Sequence, residues 1–488
     1  MALPGLTEAN RRWWTLAGTC MGLFVLMLDS TVINVALPDI ARGLDASVAG
    51  LQWVLNAYLL VLASFVVSAG RLGDIIGRRR VFVLGMAAFA GGSVVGALAD
   101  SEEVLVAARV LQGLGGAALL GLSLAIVSTV FPVAERARAL GIWTGVSALA
   151  LGVGPLIGGA LVDAVSWRWI FWLNLPFCLL GVVLVLASTD EQRDETAAAR
   201  IDIPGVATVG LGLAAVVIAL VEGKVWGWTS VATLGVFAAG IALLVAFWFI
   251  EHRVRSPIVE FDLFRNGPYF GASAAGFCLV GCYWGLMFLQ PQYLQTALGH
   301  SALAAGVLIL PVTVPMIAIS PLGGPLMARF GVRPLMTVGM ALGTAGLIVL
   351  AQVDSGSDYA LLFPGYLLFG LSLGFVYAPM STAAMAAMPP AKAGIAAGVL
   401  GMNRVLAGAI TLAAAGAVFQ AVLDDDLHAA EADSAAFASA LSSSMWVLAG
   451  LCALGTVLTW AFVRASDDTA VAPEHQAHRH LHLPWVAD

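Results

Sequence analysis

Long apolar segments alternate with short polar ones along almost the whole chain. Each apolar segment has roughly 20 residues or more, which is the length that an α-helix needs to cross the hydrocarbon layer of a bilayer. Fourteen of them can be delimited, at residues 13–37, 50–70, 80–99, 104–130, 139–161, 168–188, 203–222, 230–250, 268–290, 302–322, 333–352, 359–380, 393–420 and 441–463. Because a segment in lipid must pair its backbone polar groups internally, the pattern predicts an all-α polytopic membrane protein with fourteen transmembrane helices.

A faint internal repeat divides these spans into two sets. The loop 70–79 after span 2 and the loop 324–333 after span 10 share two glycines at the same spacing and a final arginine. Aligning the loops matches spans 9–14 with spans 1–6, so we predict two six-helix bundles with spans 7 and 8 inserted between them. The predicted divisions are an N-terminal six-helix bundle at 1–188, a cytoplasmic linker at 189–202, two additional transmembrane helices at 203–250, a C-terminal six-helix bundle at 251–465 and a polar cytoplasmic tail at 466–488.

The amino-acid composition is typical of a membrane protein and excludes a soluble globular protein. Of the 488 residues, 60% are hydrophobic and 11% are charged, and the mean hydropathy is +0.93. All five cysteines lie in apolar segments, so we expect neither a disulfide nor a metal site from them. We also expect no cofactor and no nucleic-acid partner.

The positions of lysine and arginine set the orientation. With the N-terminus inside, 18 of the 23 Lys and Arg lie in cytoplasmic segments and two lie within spans. The remaining three, Arg42, Arg168 and Lys224, are on the outer side. The count predicts a multi-pass protein of the cytoplasmic membrane with both termini in the cytoplasm. Two termini on the same side of the membrane require an even number of spans, which agrees with the fourteen spans delimited above.

Two opposite charges lie inside predicted spans. Asp29 in span 1 is about 12 Å from its outer end, and Arg109 in span 4 is about 8 Å from its outer end, at 1.5 Å per residue. A charge at such depth costs about 2.5–3.5 kcal/mol on insertion scales, so each should face the protein interior or water. Gln112 is one turn from Arg109 on the same face. We predict that Asp29, Arg109 and Gln112 couple to protons, with a static buried ion pair as the alternative.

A loop and two further polar residues are candidates for a functional role. In the loop after span 2, Gly70, Asp74, Gly77 and Arg78 are placed to latch the bundles together on the cytoplasmic side in one state; orientation by charge alone is the alternative. Asn34 is off the Asp29 face of its helix, which favours an interhelical hydrogen bond. Arg404 lies near the middle of span 13 with no acid in reach, and it either faces a substrate or makes a structural hydrogen bond.

Four stretches together resemble the motifs of the major facilitator superfamily and, more narrowly, of its fourteen-helix drug:proton antiporter family. They are LDSTVINVALP at 28–38, GRLGDIIGRRR at 70–80, RVLQGLGGA at 109–117 and GVGPLIGG at 152–159. WRWIFWLNLP at 167–176 also matches, and the resemblance covers the chain except the tail. It implies proton coupling through Asp29 and Arg109. It further implies that an antiport motif in span 5 comprises Gly145, Gly154, Pro155, Gly158 and Gly159.

The function that follows is proton-driven efflux of amphipathic organic compounds, drugs or antibiotics, by alternating access. We expect the partners to be a small amphipathic organic substrate, protons and the lipid bilayer, and we expect the protein to work as a monomer. A central substrate cavity is predicted to involve Asn34, Tyr58, Trp284, Phe288, Tyr293, Tyr377 and Arg404, whose aromatic rings could stack on ligands.

Two alternatives remain at this point. One is a proton-coupled symporter that imports a metabolite, which the span-5 motif disfavours. The other is a membrane receptor or scaffold that binds a ligand without moving it. A membrane-embedded enzyme is not expected, because the sequence offers no metal-ligand set, nucleophile–base pair or nucleotide-binding loop.

Overall fold

The computed structural model describes residues 7, 10–193, 202–254, 257–319, 322–389, 392–427 and 433–463. In this part of the chain, the regular secondary structure is helical, and short loops join the helices. Most of the predicted linker 189–202 and all of the predicted tail 466–488 lie outside these residues. The helices are α1 (Arg11–Leu44), α2 (Val48–Ile76), α3 (Arg78–Ala97), α4 (Glu102–Val130), α5 (Val133–Ala164), α6 (Trp169–Trp172), α7 (Asn174–Ser188), α8 (Ile203–Trp226), α9 (Val231–Glu251), α10 (Gly267–Gln292), α11 (Ala302–Leu308), α12 (Leu310–Ile319), α13 (Gly323–Phe330), α14 (Val332–Leu350), α15 (Tyr359–Ala386), α16 (Ala393–Leu427) and α17 (Asp433–Phe462).

The predicted number of spans is confirmed. Among the described residues, thirteen helical segments are long and apolar enough to cross a membrane, and α11 with α12, bent by 42° at a short break, provides a fourteenth. The helices extend beyond the apolar segments at many ends. Helix α1, for example, continues through Pro38 to Leu44.

Side-chain caps define where several helices begin. The hydroxyl groups of Ser47, Ser101, Ser230 and Ser301 each accept a hydrogen bond from a backbone N–H in the first turn of the following helix. A helix start leaves such N–H groups without an intrahelical partner, so a serine at this position stabilises it. All four serines follow the short loops opposite the chain termini.

The same set of helix contacts occurs twice. In the N bundle, which we define as α1–α7, α1 packs on α5 and α7, and α4 packs on α2 and α3. In the C bundle, defined as α10–α17, α10 packs on α16 and α17, and α15 packs on α12 and α14. These pairs correspond one to one in chain order, so the two bundles share one architecture.

The two remaining helices form a pair beside the bundles. Helices α8 and α9 pack on each other, and α8 also contacts α2 and α16. Trp53 of α2 donates its indole N–H to the Glu222 carboxylate of α8 at 2.8 Å. The inserted pair therefore lies against the edge where the two bundles meet.

The two bundles touch in the half of the molecule away from the termini. We call the side where α1 begins and α17 ends the terminal side. The hydrogen bonds between the bundles that the structure describes lie at the middle or on the opposite side. There, Gln295 donates to the carbonyl O of Val35 at 2.8 Å, and the Asp163 carboxylate accepts from the backbone N–H groups of Ala302 and Leu303 at 3.1 and 3.0 Å.

The terminal half is open between the bundles. A methyl group built on Gly145 of α5, or on Gly398 or Gly401 of α16, would have no atom within 4 Å. By contrast, a methyl group on Gly159 of α5 would collide with the carbonyl O of Ala302. From these contacts we infer that the bundles are joined on the opposite side and separated on the terminal side, with a cavity between them that opens there.

Replacing Gly159 with alanine is expected to open the closed side. The added methyl group meets backbone of α11, and overpacking of this kind costs about 1–3 kcal/mol, which lowers the closed population about 5- to 150-fold. Spin labels are attached at Asp100→Cys and Ser355→Cys, which lie in exposed loops of the N and C bundles on the opposite side. The distance between the two labels, measured by double electron–electron resonance, should be longer in Gly159→Ala than in the protein without this substitution. The five native cysteines are buried and should not take the label.

Gly145→Ala is the matched control, because it adds the same methyl group to the same helix in open space. Its label distances should equal those of the unchanged protein. Equal distances in Gly159→Ala would show that the contact at Gly159 does not hold the opposite side closed.

Candidate functional site

A buried ion pair lies at the centre of the N bundle. Asp29 projects from α1 and Arg109 from α4, and each side chain is only 1% exposed. Arg109 Nη1 donates to Asp29 Oδ2. Each charge faces the protein interior, as expected, and the two helices bring the charges together; their coupling to protons stays a prediction.

The second oxygen of the carboxylate is held by amide groups. Asn174 Nδ2 donates to Asp29 Oδ1 at 2.8 Å, and Gln112 Nε2 donates to the same oxygen at 3.1 Å. Both amides also donate to Ser93 Oγ, at 3.1 and 2.9 Å. Four helices, α1, α3, α4 and α7, therefore contribute to one polar network in an apolar bundle. Donors of this kind stabilise the ionised form of a carboxylate.

Arg109 makes several hydrogen bonds and a ring contact with its surroundings. Its Nε donates to the carbonyl O of Val54 at 3.0 Å, and its Nη1 also donates to Gln112 Oε1 at 2.7 Å. Its guanidinium carbon lies 4.2 Å from the centre of the Tyr58 ring, a cation–π contact. The predicted grouping of Arg109 with Gln112 is confirmed, and Tyr58 lies in this site rather than in an open cavity.

Glycines allow the helices to approach this closely. A methyl group on Gly92 of α3 would lie 2.8 Å from the carbonyl O of Ala108, and one on Gly115 of α4 would lie 2.6 Å from the carbonyl O of Gly85. Small residues permit such backbone contact between membrane helices. The distance between α3 and α4, and so the reach of Ser93 to Gln112, depends on them.

The C bundle has an uncharged version of the same site. Tyr366 on α15 occupies the place that corresponds to Arg109, and its hydroxyl group donates to Gln290 Oε1 of α10 at 2.5 Å. Gln290 comes directly after Leu289 near the end of α10, just as Asp29 comes directly after Leu28 in α1. Both C-bundle residues are fully buried. The two bundles therefore share a polar contact at the same point, but the described residues place an ion pair only in the N bundle.

The loop after α2 makes its contacts inside the N bundle. Arg78 donates through Nε to Asp74 Oδ1 at 2.9 Å, and the backbone N–H of Arg79 donates to Glu191 Oε1 at 3.1 Å. Gly77 has a φ of +122°, which other residues rarely adopt. Gly70 packs near the carbonyl O of Gly121. These contacts of Asp74, Arg78 and Arg79 join residues of the N-terminal part of the chain, so a latch between the bundles stays a prediction.

The span-5 motif lies where α5 crosses two neighbouring helices. A methyl group on Gly154 would collide with Thr31 Oγ1, and one on Gly158 would lie 2.6 Å from the carbonyl O of Val32. On the other face, the carbonyl O of Pro155 leaves no room for a side chain at Gly306 of α11. The motif therefore packs α5 against both the N bundle and the C bundle, whereas Gly145 borders the open half.

The predicted cavity residues separate into two groups. Trp284, Tyr377 and Arg404 are half-buried, whereas Phe288 and Tyr293 are 0% and 2% exposed. The buried residues do not line the opening in this conformation, and their place in a substrate path stays a prediction.

The expected interhelical hydrogen bond of Asn34 is wrong. Asn34 Nδ2 donates to the carbonyl O of Ser30, one turn back in its own helix, at 3.0 Å. That carbonyl is always within reach of a short amide side chain on a helix. The side chain is buried and belongs to the interior of the N bundle.

Three polar residues of the site were not assigned from the sequence. Asn174 lies within the WRWIFWLNLP motif, where an amide in an apolar helix signals a buried partner. Ser93 carried no such signal, because serine is common in membrane helices. Asp163 lies near the end of α5, and its carboxylate caps the start of α11 across the bundle interface, where a helix N-terminus favours negative charge.

Comparison with known proteins adds an independent line of support. The model of the Major Facilitator Superfamily matches residues 19–412. The multidrug resistance protein Stp of Mycobacterium tuberculosis (strain CDC 1551 / Oshkosh) is 38% identical over 418 residues, which are 85% of this chain and 77% of Stp. The tetracenomycin C resistance and export protein of Streptomyces glaucescens is 32% identical over 422 residues, which are 86% of this chain and 78% of that protein.

A solved structure shows the same fold. The crystal structure of a bacterial homologue of the human lysosomal transporter Spinster, in an inward-facing and unoccupied conformation, has a TM-score of 0.65. It covers 95% of this chain and 99% of the homologue at 17% identity, which supports the fold alone. The family match includes all four helices that surround Asp29, so the chain belongs to the major facilitator superfamily.

Proposed function

We propose that this membrane transporter exports an amphipathic organic compound, a drug or an antibiotic, in exchange for protons by alternating access. Drug-resistance proteins among its relatives support an exported organic substrate. The distribution of lysine and arginine supports a cytoplasmic position for the terminal side. On that assignment, the cavity described above opens to the cytoplasm, where an exporter collects its substrate.

The observation that carries the proposal is the buried carboxylate of Asp29. An ionisable group inside a membrane helix is costly, so it marks an ion or proton path. Asp29 has both a cation, Arg109, and amide donors that favour its ionised form. Burial acts in the opposite direction, since it favours the protonated form. A carboxylate between these opposing influences can change protonation state when the helices around it move.

The proposed cycle uses this balance. When the cavity opens outward, Asp29 binds a proton, its attraction to Arg109 weakens, and substrate leaves. The protonated carrier then turns inward, releases the proton and binds substrate again. The glycine contact of α5 with α11 supplies the closely packed surface between the bundles that must form and separate in each cycle. The pair Asp74–Arg78 stabilises one of the two conformations.

Asp29→Asn is expected to abolish proton-driven transport. Asparagine keeps the size of the side chain and one acceptor oxygen, but its amide nitrogen can only donate and the side chain cannot exchange a proton. The measurement is uptake of tetracenomycin C into proteoliposomes whose external face is the cytoplasmic one, driven by an acidic lumen. The unchanged protein should accumulate the compound, and the variant should not.

Asp39→Asn serves as the control, because Asp39 is on the same helix in an exposed pair with Arg42. It should transport normally. Accumulation only when the lumen is alkaline would instead identify a symporter. Full gradient-driven uptake by Asp29→Asn would show that the proton is carried elsewhere.

Arg109→Met is expected to destabilise the protein strongly. It leaves a buried carboxylate without its cation, a loss of about 3–5 kcal/mol for a buried ion pair. The double variant Asp29→Asn with Arg109→Met removes both charges and should regain most of the lost melting temperature in detergent, yet it should not transport against a gradient. This outcome would separate the structural role of the pair from its role in coupling.

The control for stability is Arg42→Met, which breaks an exposed pair with Asp39 worth about 0–1 kcal/mol. Its melting temperature should stay close to that of the unchanged protein. Equal losses in Arg42→Met and Arg109→Met would contradict the assignment of an energetically important pair at Asp29.

A further inference from the structure

We propose that Arg404 binds a negatively charged group, such as a carboxylate, sulfonate or phenolate, on an aromatic substrate. The inference rests on the proposed export function and adds the chemical class of the compound. It assigns substrate recognition to the C bundle, whereas the proton site lies in the N bundle.

Arg404 lies deep in the open half of the molecule. It is 11 residues after Ala393, the first residue of α16, and so about 17 Å along the helix axis. Its stem packs over Gly276 of α10, with Cγ 3.8 Å from the place of a methyl group there. The side chain is half-buried, so part of it still borders the cavity.

The guanidinium group of Arg404 is poorly satisfied by the protein. A guanidinium has five N–H donors. Arg404 makes one long hydrogen bond, from Nε to the carbonyl O of Leu400 at 3.4 Å. Across the described part of the chain, no carboxylate forms an ion pair with it.

Arg109 provides a comparison, because its guanidinium donates to several groups within the protein. It donates to Asp29, Gln112 and the carbonyl O of Val54 and is almost fully buried. Arg404 also lies within a membrane-spanning helix but has none of these partners. A charge retained at that depth needs a counter-charge or water, and the open cavity leaves its donors available to a ligand.

The surroundings of Arg404 suit an aromatic anion. Its guanidinium carbon lies 5.1 Å from the centre of the Tyr377 ring. Trp284 of α10 is also half-buried, and it packs against Gly408, one turn beyond Arg404. Gly401, about one turn before Arg404, borders empty space, which leaves room for a ring system. Guanidinium binds planar oxyanions in a forked geometry, which lysine cannot reproduce.

The test uses two probes with one aromatic core. Anilinonaphthalene sulfonate carries a negative charge, and phenylnaphthylamine is its neutral counterpart. Binding of each to the purified full-length protein is measured by calorimetry, with the titration into empty detergent micelles subtracted. The unchanged protein should bind the anion more tightly than the neutral probe.

The variant Arg404→Gln should bind the anion about 10- to 100-fold more weakly, the effect of losing a charged hydrogen bond, and should bind the neutral probe as before. Arg404→Lys should fall between the two. The matched control is Arg333→Gln, because Arg333 is also half-buried beside an aromatic ring, 5.5 Å from that of Trp460, but on the α14–α17 side of the C bundle. It should leave both affinities unchanged.

The outcomes decide the proposal separately from the transport function. Unchanged affinity for the anion in Arg404→Gln, an equal loss for both probes, or no measurable binding of the anion to the unchanged protein would overturn it. Selective loss of anion binding in a protein that does not export would uphold recognition at Arg404 and refute the export function instead.

Discussion

The buried pair of Asp29 and Arg109 is the constraint on which the N bundle depends. Opposite charges in an apolar interior are stable only when both are satisfied, because neither can be solvated by water. The structure meets this requirement with donors from four helices, among them Asn174 and Gln112. These contacts hold α1, α3, α4 and α7 in one arrangement around the Asp29 carboxylate. A change of charge at Asp29 therefore acts on the whole bundle.

Close glycine packing fixes α5 against its neighbours. On the closed side, α5 meets α1 and α11 with backbone against backbone at Gly158 and Gly159. On the open side, Gly145 of the same helix contacts nothing. One helix thus shows both a joined and a separated interface in a single conformation. Packed interfaces of this kind switch between discrete arrangements rather than deforming gradually.

The two bundles share an architecture but differ in charge. The contact of Gln290 with Tyr366 repeats the position of Asp29 with Arg109 without ionisable partners. The C bundle instead carries Arg404, whose donors border the cavity. The contrast agrees with the proposal that the N bundle exchanges protons and the C bundle binds the substrate. The inserted pair α8–α9 borders both halves at α2 and α16.

The sequence by itself determined the fourteen spans, because the length of an apolar segment sets whether it can cross a bilayer. It also determined that Asp29 and Arg109 lie in the same half of the membrane and that Gln112 shares a helix face with Arg109, since depth and helical spacing follow directly from residue number. Only the tertiary structure decided that Asn174 and Ser93 complete the site, that Asp163 joins the bundles, and that Phe288 is buried while Arg404 is not. Those facts depend on how each helix is rotated against its neighbours. Rotation is set by packing across the whole bundle, and no local pattern of residues records it.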